Sequence, residues 1–413
     1  MSPKSIAVDQ NKKRRPLNLG VDVSLLVVVI TLLTFGLLML YSASWQYAVS
    51  IMGQKPSYLL ERQVRFVIIG GLAAVIAFFF DYHKIKKFVI PGMVLTLIML
   101  LLVIFYVNEV RLGARRGLFQ GSIQPSEMAK LVIIIYLSFW LFSKQKLLHH
   151  FYFGMLPMAA ILGIASALIL LQPDLSAAIT IFVIGGLMFF IAGGEMRQII
   201  PALLISLVVG LFFVFFYSTG KERITSFILG MQDPELASYH LIRSFEAIVN
   251  GGIFGVGIGR ANTKFTGLPV APTDSIFSVI VEETGIVGAA FVIILFVTFL
   301  WRGLTIAKNS PDLLGRLLAG GISIWIFMEA FINMSVLVNL LPFAGNALPF
   351  ISYGGSNLTV VLAGVGIIMS VARQTAIKTN QEEGRPLNAV VSMRRDDGWR
   401  NVSRSRRPSS SEK

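Results

Sequence analysis

The sequence predicts an all-α integral membrane protein with ten transmembrane helices and a large extracytoplasmic loop between helices 7 and 8. Hydrophobic residues make up 55 % of the 413 residues and charged residues only 14 %, with a mean hydropathy of +0.73. A soluble domain usually carries about 25 % charged residues, so this composition excludes a soluble globular protein and a disordered one. Helices satisfy their own backbone in lipid, which makes them the natural way to accommodate so much apolar sequence.

Ten apolar runs support that architecture, and about 20 residues for each would use roughly half of the chain. We divide the sequence into a cytoplasmic tail (1–21), a membrane domain (22–373) that contains an outer loop at 217–275, and a cytoplasmic, disordered tail (374–413) with few apolar residues. The runs start near Val23, Phe66, Phe88, Met128, Gly154, Ile179, Ile200, Ile276, Leu317 and Leu358.

Lysine and arginine cluster on alternate sides of these runs. The pattern predicts that both termini are cytoplasmic, because cytoplasmic loops of membrane proteins collect basic residues. This also accounts for the net charge of +14, and no motif that reads a nucleic-acid groove is present. The chain has no cysteine, which excludes a disulfide framework and a thiolate metal site, and its four histidines show no metal-ligand spacing.

Two of the predicted outer loops are basic as well, although membrane insertion disfavours cations there. A cationic outer surface suits a phosphate-bearing lipid or sugar donor; the alternative is neutralisation by nearby Asp and Glu. The residues concerned are Arg111, Arg115 and Arg116 in the loop at 108–126, and Lys221, Arg223, Arg243, Arg260 and Lys264 in the loop at 217–273.

The start of the fourth run combines Pro125, Glu127 and Lys130. Proline suits the first helical turn, and the two charged residues, three apart, lie on one helix face. They are expected either to form a structural ion pair, which is less costly in a membrane than two single ions, or to place Lys130 with Arg115 against a pyrophosphate. Asp174 follows Pro173 and is interpreted as a helix cap or a cavity residue.

Asp274 is the most informative residue, because two prolines precede it and the eighth run begins just after it. It is either a helix N-cap or a functional carboxylate at the outer surface. Glu282 and Glu283 lie about 12–14 Å deeper along the same helix. Carboxylates within a span are functional candidates, unless cations or hydroxyl groups of neighbouring helices pair with them.

Two glycine-containing segments stand out. In the run Leu-Pro-Phe-Ile-Ser-Tyr-Gly-Gly-Ser at 348–356, Gly354 and Gly355 permit close backbone approach, which predicts a rigid re-entrant turn that lines a cavity. The glycine-rich run at 251–260 resembles a phosphate-binding loop. No strand precedes it, so we interpret it instead as a flexible, membrane-hugging loop.

Taken in order, five motifs resemble the SEDS family of peptidoglycan glycosyltransferases, which includes FtsW, RodA and SpoVE. The resemblance covers about residues 22–373. The motifs are Tyr-Ser-Ala-Ser at 41–44, Gly-Ala-Arg-Arg at 113–116 with Gln-Pro-Ser-Glu-x-x-Lys at 124–130, Gln-Pro-Asp at 172–174, Pro-Thr-Asp-Ser at 272–275, and the 348–356 run.

The resemblance implies an enzyme of the bacterial inner membrane that polymerises lipid II at the outer face. Asp274 matches the essential aspartate of the family, and Arg115, Glu127 and Lys130 match polar positions around its outer cavity. A divalent cation (Mg²⁺ or Mn²⁺) is implied, as are a class B penicillin-binding transpeptidase and other divisome or elongation-complex proteins as partners. The candidates for binding substrate or pyrophosphate are Arg115, Arg116, Glu127, Lys130, Ser352, Tyr353, Gly354 and Gly355, with Asp174 and Glu283 as further cavity residues.

In the reaction that the resemblance implies, Asp274 acts as the general base. Long polar tails favour an FtsW-like role in cell division. The alternatives are a RodA-like enzyme of cell elongation, a lipid II flippase with Glu282, Glu283 and Glu329 along a polar path, and a non-catalytic scaffold.

The sequence departs from the family pattern at several positions. Gly117 stands where Trp is common, and Glu329 where Gln is common. The run at 239–244 reads Tyr-His-Leu-Ile-Arg-Ser in place of Tyr-Gln-x-x-Gln-Ser. These differences concern the geometry of the donor pocket and leave Asp274 untouched.

Overall fold

Helices form the architecture, as the sequence predicts. The computed structural model describes residues 20–106, 124–172, 174–216 and 218–382, and in these ranges there is no strand. The twelve α-helices there are α1 (Val23–Ser50), α2 (Tyr58–Phe79), α3 (Lys86–Tyr106), α4 (Pro125–Ser143), α5 (Leu156–Leu170), α6 (Leu175–Ile191), α7 (Met196–Phe216), α8 (Ser218–Gln232), α9 (Tyr239–Gly251), α10 (Ile276–Lys308), α11 (Leu313–Leu337) and α12 (Gly355–Glu382).

A described helix covers nine of the ten predicted starts, and the tenth, Gly154, lies in the π-helical turn Phe151–Met155 that leads into α5. In the described ranges, eight helices are long and apolar enough to cross a membrane. The other two apolar helices are shorter: α6 and the stretch Met196–Ile205 of α7. Ten spans therefore stay a prediction. The region 217–275, predicted as a loop, contains two further helices, α8 and α9.

The predicted tail boundary differs from the structure, because α12 continues through Glu382. Ala376 and Asn380 are buried in this extension. Ala376 lies beside Gly20, close to the start of α1, and this contact gives the extra turns an apolar neighbour. The sequence could not show this contact, because the residues between 374 and 382 are mostly polar.

Small residues let helices approach closely, which is how helices associate in the absence of a hydrophobic driving force. A Cβ at Gly70 of α2 would lie 2.7 Å from Leu362 of α12, and one at Gly366 would lie 2.4 Å from the carbonyl oxygen of Ala74. Helix α11 is central and packs against α4, α6, α10 and α12. Its Trp325 is fully buried.

Helix α10 is broken at Gly285, whose φ is 70°. The glycine-rich run fills the break. Val256 N–H donates to the carbonyl of Glu282 and Ile286 N–H donates to the carbonyl of Gly252, each over 3.0 Å, and two further backbone bonds join the same segments. The run therefore satisfies backbone groups that a helix end leaves without partners. It is an ordered part of α10 packing, and our interpretation of it as a flexible loop is wrong.

Candidate functional site

Asp274 lies on the wall of a cavity of about 410 Å³. It is partly buried. Its interpretation as a helix cap is wrong, because the N-cap position of α10 is Ser275. The cavity is formed by α8, α9, the approach to α10 and the segment before α12; its walls include Glu222, Arg223, Ser226, Phe227, Ser238, Tyr239, His240, Leu241, Pro269, Val270, Phe343 and Gly345.

A side chain of α11 holds the backbone at Asp274. The Nδ2 group of Asn333 donates to the carbonyl of Asp274 over 3.0 Å and to the carbonyl of Asn346 over 2.6 Å. Asn333 is buried, so both bonds lie in surroundings where a lost hydrogen bond costs most. The sequence analysis did not identify Asn333, because one Asn within an apolar run carries no distinctive signal.

The 348–356 run holds the two residues that precede Asp274. The Ser352 hydroxyl donates to the carbonyl of Thr273 over 2.7 Å, and the Tyr353 N–H donates to the carbonyl of Pro272 over 2.9 Å. Two of the predicted site residues are thus brought to the Asp274 segment, where they contact its backbone.

The two glycines of this run pack against α2. Gly354 N–H donates to Gln63 Oε1 over 3.3 Å, and Gln63 Nε2 donates to the carbonyl of Ser352 over 3.1 Å. A Cβ at Gly355 would lie 2.3 Å from the Phe66 ring. The predicted close approach is confirmed at Gly355, and it leaves the segment little room to move.

Lys130 lies in a buried ion cluster. Its Nζ is 2.9 Å from Glu127 Oε1 and also contacts the Glu329 carboxylate. Asn357 donates to Glu127 over 2.7 Å, and Trp325 Nε1 donates to Glu329 over 2.8 Å. The predicted Glu127–Lys130 ion pair is confirmed. Lys130 is 4 % exposed, so in this structure its ammonium group faces protein carboxylates, and its contact with a pyrophosphate stays a prediction.

The cluster is linked to the cavity through α11. Glu329 and Asn333 are four residues apart on that helix, which places them about 6 Å apart along its axis. Asn333 in turn holds Asp274. The ion cluster therefore lies about one helical turn from the group that fixes the Asp274 backbone. Glu329, which departs from the family pattern, is the member of the cluster that the sequence did not place there.

Glu283 and Glu282 are both paired within the protein. Lys264 Nζ lies 2.7 Å from Glu283 Oε1, and the Ser42 hydroxyl donates to the same carboxylate over 2.6 Å. Glu282 accepts from the backbone N–H of Asn262 over 2.8 Å. The predicted alternative, pairing with cations and hydroxyls, is confirmed for Glu283. These bonds tie the segment after the glycine-rich run to α10 and α1.

Asp174 caps α6. Its Oδ1 accepts from the Ala177 N–H over 3.4 Å and from the Ser176 hydroxyl over 3.0 Å, and its Oδ2 accepts from the Ser126 hydroxyl over 3.3 Å. The cap interpretation is confirmed, since a side-chain oxygen satisfies a first-turn N–H. The contact with Ser126 also joins α6 to α4.

Arg115 and Arg116 lie outside the described residues. Among the described residues, Arg223 is a cation on the same cavity wall as Asp274, and the sequence identified it only as one of several basic residues. Its guanidinium carbon lies 5.6 Å from the centroid of the Phe343 ring, a distance at which the ring face attracts a cation. Glu222 adds a second carboxylate to the cavity.

Titratable groups near the cavity are shifted by burial. Burial lowers the pKa of His240 to about 4, because a charged imidazole is disfavoured away from water. The imidazole is therefore neutral at pH 7. Burial also raises the pKa of the Tyr353 hydroxyl above its ordinary value.

The sequence matches the FtsW, RodA and SpoVE family, described as a cell cycle protein, over residues 23–377. A relative from Geobacter sp. (strain M18), named probable peptidoglycan glycosyltransferase FtsW, is 37 % identical over 360 residues, which cover 86 % of this chain and 97 % of the relative. Stage V sporulation protein E of Bacillus subtilis (strain 168) is 37 % identical over 355 residues, covering 85 % of this chain and 97 % of the relative.

Solved structures show the same fold. The rod shape determining protein RodA of Thermus thermophilus superposes with a TM-score of 0.63 at 25 % identity; 86 % of this chain and 97 % of that chain are covered. A chain of a peptidoglycan synthase complex, described as coordinating polymerization and crosslinking, superposes with a TM-score of 0.70 at 25 % identity, covering 87 % of this chain and 99 % of that chain.

Proposed function

The chain belongs to the FtsW, RodA and SpoVE family of cell cycle proteins, and from that premise we propose that it is a peptidoglycan glycosyltransferase that polymerises lipid II. The observation that carries the proposal is the placement of Asp274. Its carboxylate belongs to the residue that precedes the N-cap of α10, on the wall of a cavity. Its backbone is held by α11, and the residues before it by the 348–356 run.

The proposed topology has ten spans, both termini in the cytoplasm and the Asp274 cavity on the extracytoplasmic face of the bacterial inner membrane. The alternation of basic loops supports this orientation. The helices at the predicted positions support the number of spans, with α6 and α7 completing the ten.

In the proposed reaction, the Asp274 carboxylate takes the proton of the acceptor sugar hydroxyl. The hydroxyl oxygen forms a bond to the anomeric carbon of the donor sugar, the bond from that carbon to the pyrophosphate breaks, and polyprenyl diphosphate leaves. A positioned general base contributes typically about 10²–10⁴-fold to the rate. The pyrophosphate linkage is already activated, so no nucleotide is required.

The leaving diphosphate needs positive charge nearby, because charge develops on it in the transition state. Arg223 is on the cavity wall, and Arg115 and Arg116 are proposed to complete this surface. The geometry of the ion cluster supports a different role for Lys130: its bond to Glu329 joins α4 to α11, and its bond to Glu127 lies within α4.

The His, Asp and Glu side chains of the described residues do not form a dedicated metal site. In the part of the chain that the structure describes, no three His, Asp or Glu side chains come together to hold an ion. A requirement for Mg²⁺ or Mn²⁺ stays a prediction from the family resemblance, and no step of the reaction above is routed through a metal ion. Activity before and after chelation, with each cation restored separately, tests it.

We propose an FtsW-like role in cell division, with a class B penicillin-binding transpeptidase as the partner. The named relatives support FtsW over RodA, and the related chain in a complex of polymerization and crosslinking supports a crosslinking partner. Other divisome proteins are proposed on the same grounds.

The test is a polymerisation assay. The purified chain, with and without the candidate transpeptidase, is incubated with fluorescent lipid II, and glycan strands are resolved on a gel. Strands that a muramidase digests support the proposal. Translocation of labelled lipid II across vesicles, without polymer, would instead identify a flippase. The burial and pairing of Glu282, Glu283 and Glu329 favour the enzyme, because a flippase was expected to use these carboxylates along a polar path.

A further inference from the structure

His240 of α9 contacts the residue that follows Asp274. Its Nε2 lies 2.7 Å from the Ser275 hydroxyl oxygen, and that oxygen lies 2.6 Å from the carbonyl oxygen of Pro269. Ser275 is fully buried. The contact therefore crosses from α9, on one wall of the cavity, to the N-cap residue of α10.

The hydrogen-bond partners fix the position of the imidazole proton. A serine hydroxyl has one proton, and a carbonyl oxygen can only accept. The Ser275 proton must therefore point to Pro269, and the Ser275 oxygen accepts from His240. This assignment requires the proton on Nε2.

The surroundings of the other ring nitrogen, Nδ1, disfavour a second proton on the imidazole. Nδ1 is buried and has no hydrogen-bond partner among the described residues, so a proton there would be an unsatisfied buried donor. The Phe343 ring lies against the imidazole with ring centroids 4.4 Å apart. The ionisable side chains that share the cavity with His240 are Glu222, Arg223, Tyr239 and Asp274.

We propose that His240 is a positioning residue that sets the location of Asp274 by donating its Nε2–H to Ser275. Asn333 and Ser352 hold the Asp274 segment from the side of α11 and α12, and His240 holds it from α9. The Asp274 carboxylate is then held at a fixed position relative to the cavity wall that α8 and α9 form. The inference rests on the proposed function, because it gives Asp274 the role of base.

Substitution by glutamine or by asparagine distinguishes a role of the imidazole Nε2 from a role of Nδ1. The Nε2 of glutamine can take the place of the imidazole Nε2, whereas the shorter asparagine side chain reaches only the position of Nδ1. His240→Gln therefore keeps the bond to Ser275, and His240→Asn and His240→Ala lose it. Because a misplacement of about 1 Å can cost about 10²-fold, we expect kcat to fall by roughly 10- to 100-fold in the Asn and Ala variants.

The experiment measures kcat and KM for lipid II in the three variants, together with hydrogen–deuterium exchange of residues 273–278. We expect His240→Gln to stay near the wild-type kcat, and the Asn and Ala variants to lose kcat at unchanged KM and to exchange faster at the start of α10. If His240→Ala does not fold, the Gln and Asn variants decide the question.

Equal kcat values for the Gln and Asn variants, a change confined to KM, or unchanged exchange at 273–278 in His240→Asn would overturn the inference. The exchange measurement does not require activity. If the wild-type chain made no polymer, the proposed function would fail while the role of His240 in holding α10 would still be decided.

Discussion

Replacement of Lys130 by methionine tests whether this lysine holds helices together or binds substrate. Methionine keeps most of the side-chain volume and removes the charge. Glu127 and Glu329 would then remain buried, and Asn357 and Trp325 would be their remaining side-chain donors among the described residues. Removal of one partner of a buried ion pair typically costs about 3–5 kcal/mol, so we expect Lys130→Met to lower the free energy of unfolding by that amount.

The matched variant is Glu329→Gln. The amide oxygen of glutamine can still accept from Trp325 and Lys130, and Lys130 keeps its ion pair with Glu127. We expect this change to cost no more than about 1 kcal/mol, the usual net value of one hydrogen bond. In the double variant one buried carboxylate has gone, so part of the Lys130→Met loss should be recovered.

The assay is denaturant unfolding of the purified chains in detergent, with the polymerisation rate measured in parallel. Lys55→Met, at an exposed lysine, controls for the loss of one positive charge. If Lys130→Met unfolded like the wild type but made no glycan, Lys130 would be a substrate ligand, and its structural role would be refuted.

Three further changes test other parts of the structure. Lys264→Met should cost about 3–5 kcal/mol because it strands the buried Glu283, and adding Glu283→Gln should recover part of this loss in the same unfolding assay; purely additive losses would contradict the pairing. Gly285→Ala should loosen the glycine-rich run and expose it to limited proteolysis, because the new Cβ would lie 2.2 Å from the carbonyl oxygen of Ile253 at a φ of 70°; wild-type protease resistance would contradict this. The pKa of His240 is lowered to about 4 from an ordinary value of 6.5, so its contribution to stability is present above pH 6.5 and is lost as the pH falls towards 4. Between about pH 7.5 and about pH 5, the free energy of unfolding of the wild type should therefore fall by about 2 kcal/mol more than that of His240→Gln. Equal losses for the two proteins in thermal unfolding would contradict the shift.

The helices could be predicted from the sequence because long apolar runs have few alternatives in a membrane. The two helices of the 217–275 region could not. Helix α8 carries the adjacent charged residues Lys221, Glu222 and Arg223 in its first half, and α9 mixes polar and apolar residues, so neither forms an apolar run. Their helical structure is stabilised by packing against neighbouring segments, including the cavity wall and the break in α10.

The site was predictable only in part. Asp274, Ser352 and Tyr353 belong to distinctive motifs, and the structure brings them to one segment. Asp174 and Glu283 were identified as unusual carboxylates, but only the structure shows that each is occupied by a cap or an ion pair. Local spacing predicted the partner of Lys130 at position 127, whereas Glu329 is 199 residues away and could not be found from local spacing.

The most direct measurement of the central claim is the rate of lipid II polymerisation by Asp274→Asn. The control is Asp233→Asn, at an exposed aspartate that caps the turn Pro234–Leu236 in the same region; asparagine caps equally well there. We expect Asp274→Asn to lose at least about 10²-fold in rate with wild-type unfolding behaviour, and Asp233→Asn to keep its rate. Glycan synthesis by a folded Asp274→Asn variant at the wild-type rate would contradict the claim that Asp274 is the base.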